Sequence, residues 1–188
     1  RKVENSTKIY DRTGEILLYD IHQDVKRTYI TFENMSVNIK NATVAIEDSD
    51  FSNHTAIRLT SIIRAVLSNF ISIGKTQGGS TITQQLVKNV FLNNERTWKR
   101  KIKEMVLAVM VENKLSKMDI LERYFNQVPY GGEVYGVQEA SWKFFDKNVW
   151  ELSKGEATYL AGLPASPTSF LPSNNNGGSK IRQNHVIN

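Results

Sequence analysis

Three carboxylates follow an apolar run within four positions, at Glu47, Asp48 and Asp50. The preceding residues, from Val37 to Ile46, have the apolar spacing of a helix. A carboxylate at the end of a buried helix can line a cleft, where burial raises its pKa towards the range a general base needs. A solvated helix end is the alternative, and it is the commoner reason for an acidic cluster.

A second candidate stretch begins with Gly78 and Gly79, which allow a turn or a close approach to a ligand. Ser80 or Thr81 is a suitable N-cap for the helix that follows. Its apolar stripe comprises Ile82, Leu86, Val87, Val90 and Phe91. A hydroxyl, two amides and an ammonium lie on the other side, at Thr81, Gln84, Gln85 and Lys88. Beside a positive helix N-terminus this face suits an anionic, oxygen-rich ligand, and a capped, solvated surface helix is the alternative.

A third candidate is a cluster of cations at the start of the next predicted helix, which Thr97 can cap. The cations are Arg96, Lys99, Arg100, Lys101 and Lys103. The helix dipole disfavours cations at an N-terminus, so this cluster costs stability unless an anion binds. Glu104 lies four residues after Arg100 and three after Lys101, so an ordinary intrahelical ion pair is the alternative. We expect Trp98, Ile102, Met105 and Val109 to form a buried stripe, with residues 105–111 buried on all sides.

Composition limits the class of protein. The chain has 188 residues, 40% of them apolar and 23% charged, which is enough for one domain with a hydrophobic core. A net charge of +5 and a pI of about 9.3 favour an anionic partner, whether nucleic acid, a membrane surface or a phosphorylated substrate. The absence of cysteine excludes thiol catalysis, and His22, His54 and His185 lack the spacing of zinc ligands. No apolar run reaches about 18 residues, and no signal peptide is recognisable.

The N-terminal part is predicted to contain a hairpin and a linker. Lys8–Tyr10 and Glu15–Tyr19 are strand-like and flank a turn at Gly14. Residues 21–36 are polar and mixed, with a short extended piece at 27–32, and we expect them to lie outside the core.

The rest of the chain is predicted to be helical. Arg58–Ile73 is either a core helix or an amphipathic helix resting in a membrane interface. Further helices are predicted from Ser116, over Val137–Phe145 and over Leu152–Leu163, with a loop at 126–136. The run at 174–179 has the composition of an engineered linker, and we expect the last helix, from Ile181, to be cut off.

Four motifs follow one another along the chain. They are Glu47-Asp48-x-x-Phe51-x-x-His54, Gly79-Ser80-Thr81-Ile82-Thr83-Gln84-Gln85-Leu86-x-Lys88-Asn89, Arg100-Lys101-x-x-Glu104 and Ile120-Leu121-Glu122-x-Tyr124-x-Asn126. In this order and spacing the chain resembles the peptidoglycan glycosyltransferase domain, glycosyltransferase family 51, of class A penicillin-binding proteins and monofunctional transglycosylases. The resemblance covers about residues 40–172, and four motifs in register make it specific.

The resemblance implies a mainly helical, lysozyme-like fold with a larger lobe and a small membrane-associated jaw. Residues 1–36 would form the hairpin and linker, residues 37–188 the glycosyltransferase domain, and residues 55–79 its jaw. The implied reaction polymerises lipid II, a disaccharide-pentapeptide on undecaprenyl pyrophosphate, with inversion at the anomeric carbon. The implied location is the extracytoplasmic face of a bacterial cell membrane.

The resemblance also assigns residue roles. Glu47 matches the general base that takes a proton from the acceptor 4-hydroxyl. Glu104 matches a second essential carboxylate that supports the donor pyrophosphate, directly or through a divalent cation, Mg²⁺ or Mn²⁺. Matching substrate-binding positions are Asp48, Phe51, His54, Ser80, Thr81, Gln84, Gln85, Lys88, Asn89, Arg96, Arg100 and Lys101. The implied partners are lipid II, the growing glycan strand, a membrane surface at the jaw and the inhibitor moenomycin, with no role for nucleic acid.

Two other hypotheses remain beside this one. A lysozyme-like hydrolase or lytic transglycosylase would use two carboxylates that flank the bond and would need no cations for a pyrophosphate. A non-catalytic anion-binding module would leave Glu47 and Glu104 without a role, since carboxylates weaken phosphate binding. The chain departs from the family pattern at Ala56 and Arg58, where a glycine and an acidic residue are usual, and this concerns the loop after Phe51 rather than the base.

Overall fold

Six α-helices and two small antiparallel hairpins make up the part of the chain that this computed structural model describes, residues 7–10, 12, 13, 15, 17–21, 27–54, 80–92 and 97–164. The helices are α1 (Val37–Glu47), α2 (Ile82–Phe91), α3 (Trp98–Glu112), α4 (Lys117–Gln127), α5 (Val137–Phe145) and α6 (Lys154–Gly162). Strands β1 (Thr7–Tyr10) and β2 (Leu17–Ile21) form the first hairpin, and β3 (Pro129–Gly131) and β4 (Val134–Tyr135) the second. A 3-10 turn, Val149–Glu151, precedes α6.

The predicted fold class is confirmed: the chain is mainly helical with an N-terminal hairpin, consistent with a lysozyme-like helical domain. The jaw predicted at 55–79, the segment Arg58–Ile73 within it and everything after residue 164 lie outside the described residues. Among the described helices, none combines the length and the apolar character that crossing a membrane requires.

Side-chain caps determine where the helices begin. Thr81 accepts a hydrogen bond from the backbone N–H of Gln84 at 3.2 Å, and Thr97 does the same for Arg100 at 3.2 Å. Ser116 forms a reciprocal capping box with Asp119 at the start of α4. Each cap contributes about 1 kcal/mol, and the caps predicted at Thr81, Thr97 and Ser116 are confirmed.

The core is centred on α4, which presents fully buried side chains to its neighbours. α1 packs against α6, and α2 packs against both α3 and α4. Fully or almost fully buried core residues include Ile39, Ile82, Leu86, Ile120, Tyr124, Phe125, Val137, Ala140, Leu160 and Ala161. The start of α2 is therefore fixed against the central helix, and the end of α1 is joined to α2 through Glu47 and Asp48.

The segment 27–35 belongs to the core, so the prediction that residues 21–36 lie outside it is wrong for this part. Ile30 and Met35 are buried. Asn126 of α4 accepts from the Ile30 N–H at 2.9 Å and donates to the Ile30 carbonyl at 2.8 Å. This side chain replaces the strand partner that the segment lacks, and its position almost a hundred residues away explains why local polarity gave no signal.

The outer face of α3 is exposed, so the predicted buried stripe is wrong. Trp98 is 67% exposed, and the exposed apolar residues of this face are Trp98, Ile102, Val106, Val109 and Met110. The buried face is instead formed by Glu104 and Ala108, and Ala108 packs against Val87 of α2. A helix that is apolar on every side has no inward face defined by its pattern, so its contacts with the neighbouring helices decide it.

The loop predicted at 126–136 contains the short hairpin β3–β4. Gly136 follows it and begins α5 with φ +84°, and a Cβ there would lie 3.2 Å from the carbonyl oxygen of Asn126. Glycine is therefore required both by the backbone conformation and by the close approach of the last turn of α4.

Candidate active site

Glu47 is the last residue of α1 and is half-buried. The amide Nε2 of Gln85 donates to its Oε2 at 2.8 Å, and the hydroxyl of Tyr124 donates to Gln85 Oε1 at 3.3 Å. Burial, and then the negative charge of Glu47, raise the pKa of the Tyr130 phenol. One carboxylate oxygen of Glu47 is thus held by α2 through Gln85.

Asp48 and Phe51 follow Glu47, and both side chains face the interior, at 2% and 1% exposure. Asp48 Oδ1 lies 2.6 Å from His54 Nε2, and Asp48 Oδ2 accepts from the backbone N–H of Ile82 at 3.1 Å. The Phe51 ring meets the His54 ring edge to face. These contacts are with the protein itself, so a substrate-binding role for the three residues stays a prediction.

The first turn of α2 also points polar side chains inward, so the alternative of a solvated surface helix is wrong for this turn. Gln84 is 2% exposed and Thr81 is 1% exposed. Ser80 lies just before the cap and is half-buried, whereas Lys88 and Asn89 are exposed in the last turn of α2. A buried hydroxyl and a buried amide need partners, and α3 supplies one of them.

Two of the five predicted cations, Arg100 and Lys101, pair with Glu104 and join α3 to α2. These three residues are called the cation cluster from here on. Glu104 is 2% exposed; its Oε2 accepts from Arg100 at 2.6 Å and its Oε1 accepts from Lys101, as the spacing predicted. Lys101 Nζ also donates to Ser80 Oγ at 3.0 Å and to Gln84 Oε1 at 3.3 Å. Two cations share one carboxylate, so the cluster carries an excess positive charge. Among the described residues the buried Nε of Arg100 has no hydrogen-bond partner.

Adjacent residues of α2 bring the two carboxylate sites together. Gln85 contacts Glu47, and its neighbour Gln84 contacts Lys101 of the cation cluster. The first turn of α2 therefore contacts both a half-buried carboxylate and a positively charged group. Arg96, the other predicted contact, lies outside the described residues.

The residues around Glu104 do not fit a divalent ion held by the protein. Magnesium and manganese require several oxygen ligands, and both oxygens of Glu104 already accept from cations. Within the described ranges no group of three or more acidic or histidine side chains could hold a metal.

The sequence assigned no role to Lys117, Glu112 and Thr83, but the structure connects them to a predicted site residue, His54. Lys117 donates to the His54 carbonyl at 2.7 Å and to Glu112 at 3.0 Å, and Thr83 donates to Glu112 at 2.5 Å. The sequence did contain one indication of a role for Lys117. It is the first residue of α4, where the helix dipole disfavours a cation.

A family model described as Transglycosylase matches residues 14–188, and the chain belongs to this family. The resemblance to the peptidoglycan glycosyltransferase domain is therefore confirmed.

Similar proteins agree with this assignment. Penicillin-binding protein 1A of Aquifex aeolicus is 43% identical over 167 residues, which is 89% of this chain and 23% of that protein. Penicillin-binding protein 1A of Rickettsia bellii is 38% identical over 184 residues, 96% of this chain and 23% of that protein. The protein of the same name from Neisseria gonorrhoeae is 37% identical over 180 residues, 96% of this chain and 22% of that protein. The chain spans less than a quarter of the length of these relatives.

Proposed function

We propose that this chain polymerises lipid II into glycan strands, with Glu47 as the general base and the cation cluster as the support for the leaving pyrophosphate. The observation that carries the proposal is the pair of adjacent glutamines on α2, one bound to Glu47 and the other to Lys101. Glu47 on α1 and Lys101 on α3 are thus both held by the first turn of α2, an arrangement that suits an acceptor hydroxyl and a pyrophosphate that react with each other.

The base step follows from how Glu47 is held. Gln85 binds Oε2 and so orients the carboxylate, which takes the proton of the acceptor GlcNAc 4-hydroxyl. The hydroxyl oxygen attacks the anomeric carbon of the donor and forms the new glycosidic bond on the face opposite the leaving group. The bond from that carbon to the pyrophosphate oxygen breaks, and a single displacement of this kind inverts the anomeric configuration.

The leaving step follows from the charge on α3. The pyrophosphate departs with the bonding electron pair, and its growing charge requires fixed donors rather than a proton. Arg100 and Lys101 are oriented by Glu104, and the buried Arg100 Nε has no hydrogen-bond partner among the described residues. Lys88, exposed on the last turn of α2, supplies a further cation. No step of the proposed reaction uses a metal ion, because both oxygens of Glu104 already accept hydrogen bonds from Arg100 and Lys101.

The lysozyme-like alternative is less well supported. Glycoside hydrolysis needs one carboxylic acid to protonate the leaving oxygen. Both oxygens of Glu104 accept hydrogen bonds from cations, which suits a carboxylate that orients those cations rather than a general acid aimed at a leaving oxygen.

The location and remaining partners follow from the substrate. A donor that carries an undecaprenyl chain is confined to a membrane, so we propose that the domain works at the extracytoplasmic surface of a bacterial cell membrane, with residues 55–79 against the lipid. Moenomycin, a phosphoglycolipid, would compete with the donor at the cation cluster.

The test is polymerisation of lipid II in detergent or bilayers, with products sized on a gel. The wild-type chain is compared with Glu47→Gln and Glu104→Gln, each with Mg²⁺ and with a chelator. We expect the wild type to make long glycan, with activity persisting in the chelator, and both variants to lose at least about a hundredfold in rate.

Binding of undecaprenyl pyrophosphate is the control for the two roles. Glu47→Gln should bind it as the wild type does, whereas Glu104→Gln should bind it more weakly because Arg100 and Lys101 lose their orientation. A folded Glu47→Gln variant that polymerises normally would refute Glu47 as the base. Release of soluble sugar instead of polymer would favour the hydrolase.

A further inference from the structure

The residue after the proposed base is anchored to α2. Asp48 is almost fully buried, with Oδ1 2.6 Å from His54 Nε2 and Oδ2 accepting from the Ile82 N–H at 3.1 Å. Because α2 also carries Gln85, this anchor fixes Glu47 and the residue that orients it relative to one another. The turn 48–54 is therefore part of the support of the base.

Lys117 holds the same turn from the opposite side. Its Nζ donates to the His54 carbonyl at 2.7 Å and to Glu112 Oε2 at 3.0 Å, and it lies 4.4 Å from the centre of the buried Phe51 ring. A cation at the first position of α4 opposes the helix dipole, so these three contacts must outweigh that cost.

Glu112 connects Lys117 to α2. Its Oε1 accepts from Thr83 Oγ1 at 2.5 Å while its Oε2 accepts from Lys117. Thr83 is fully buried and stands next to Ile82, whose N–H binds Asp48. Two separate routes therefore link the turn 48–54 to α2: one through Asp48, the other through Lys117, Glu112 and Thr83.

We infer that Lys117 is a positioning residue for the general base, acting through the turn 48–54 and not on the substrate. The inference rests on the proposed function of Glu47. The contacts described for Lys117 are with His54, Glu112 and Phe51, and none of these belongs to the cation cluster. Loss of its ammonium should therefore displace the base while leaving donor binding intact.

The experiment compares Lys117→Met with Lys114→Met, a change of the same kind at an exposed lysine three residues earlier. For Lys117→Met we expect kcat for lipid II polymerisation to fall roughly tenfold to a hundredfold, as for a displacement of about 1 Å, with the Kd for undecaprenyl pyrophosphate unchanged. Lys117→Arg, which keeps the charge and the donors, should restore most of the rate. Lys114→Met should behave as the wild type.

Amide hydrogen exchange measures the positioning without any catalytic activity. Lys117→Met should speed exchange in residues 48–54 and leave α5 and α6 as they are. If Lys117→Met does not fold, Thr83→Val breaks the same route while keeping the side-chain shape, and a smaller change in the same direction is expected.

An unchanged kcat together with unchanged exchange in 48–54 would overturn the inference. A loss of rate accompanied by weaker donor binding, or by faster exchange throughout the chain, would also overturn it, because Lys117 would then be merely structural. If the wild-type chain makes no polymer at all, the proposed function fails, and exchange in 48–54 alone decides whether Lys117 holds the turn.

Discussion

Replacing Gln85 by leucine tests whether orientation or basicity limits the proposed base. Leucine has a similar volume but no donor, so Glu47 loses the 2.8 Å hydrogen bond to its Oε2 without the opening of a large cavity. A hydrogen bond to a charged group contributes about 1.5–3 kcal/mol, which corresponds to roughly 10- to 150-fold in rate if it is used entirely for orientation.

A second effect acts in the opposite direction. A carboxylate that loses a donor becomes a stronger base, and this speeds proton transfer by less than about tenfold. Misplacement of a reacting group by about 1 Å costs roughly a hundredfold, so orientation outweighs basicity. We expect Gln85→Leu to lower kcat by about tenfold to a hundredfold with little change in donor binding.

The assay is the initial rate of lipid II polymerisation, measured in the wild-type and in the Glu47→Gln background. In the second background Gln85→Leu should have no further effect, because the group that Gln85 orients is already inactive. A kcat for Gln85→Leu equal to or above that of the wild type would refute orientation by Gln85. An equal loss in both backgrounds would show that Gln85 acts on something other than Glu47.

Two further predictions concern stability. Gly136→Ala should lower the free energy of unfolding by about 1–3 kcal/mol, because its φ of +84° is strained for alanine and the new Cβ meets Asn126 at 3.2 Å. Gly132→Ala, at φ +58° with open space around it, is the matched control, and an equal loss of thermal stability in both would contradict the steric argument. Hydrogen bonds from Lys147 and Ser153 lower the pKa of Glu156 from 4.5 to about 2. This stabilisation is present above about pH 4.5 and is lost as the pH falls towards 2. In Glu156→Gln the fall in the free energy of unfolding between these pH values should therefore be smaller by about 1 kcal/mol. An unchanged fall would contradict the prediction.

Local signals in the sequence were sufficient to predict three helix N-caps and the ion pairs within the cation cluster. Thr81, Thr97 and Ser116 cap their helices as predicted because an N-cap contacts backbone only two or three residues away. Glu104 pairs with Arg100 and Lys101 because i,i+3 and i,i+4 side chains are neighbours on any helix.

Interactions between distant residues were not predictable in the same way. Asn126 and Ile30 meet only because α4 is central to the fold, and the connection from Thr83 through Glu112 to Lys117 joins three helices. The strands β3 and β4, three and two residues long, are too short to show alternation. The prediction that α3 is buried on all sides was wrong: its apolar residues surround the helix, so that contacts with α2 and α4 decided which side faced inward.

The exposed face of α3 also determines how the isolated chain behaves in solution. Its aromatic and aliphatic side chains are accompanied by the exposed lysines Lys99 and Lys103, which repel a second molecule at low ionic strength. Added salt screens that repulsion, and sulfate or phosphate strengthens apolar association as well. Dilute, low-salt buffer with mild detergent should therefore limit association through this face, whereas salting-out conditions should favour reversible clustering through it.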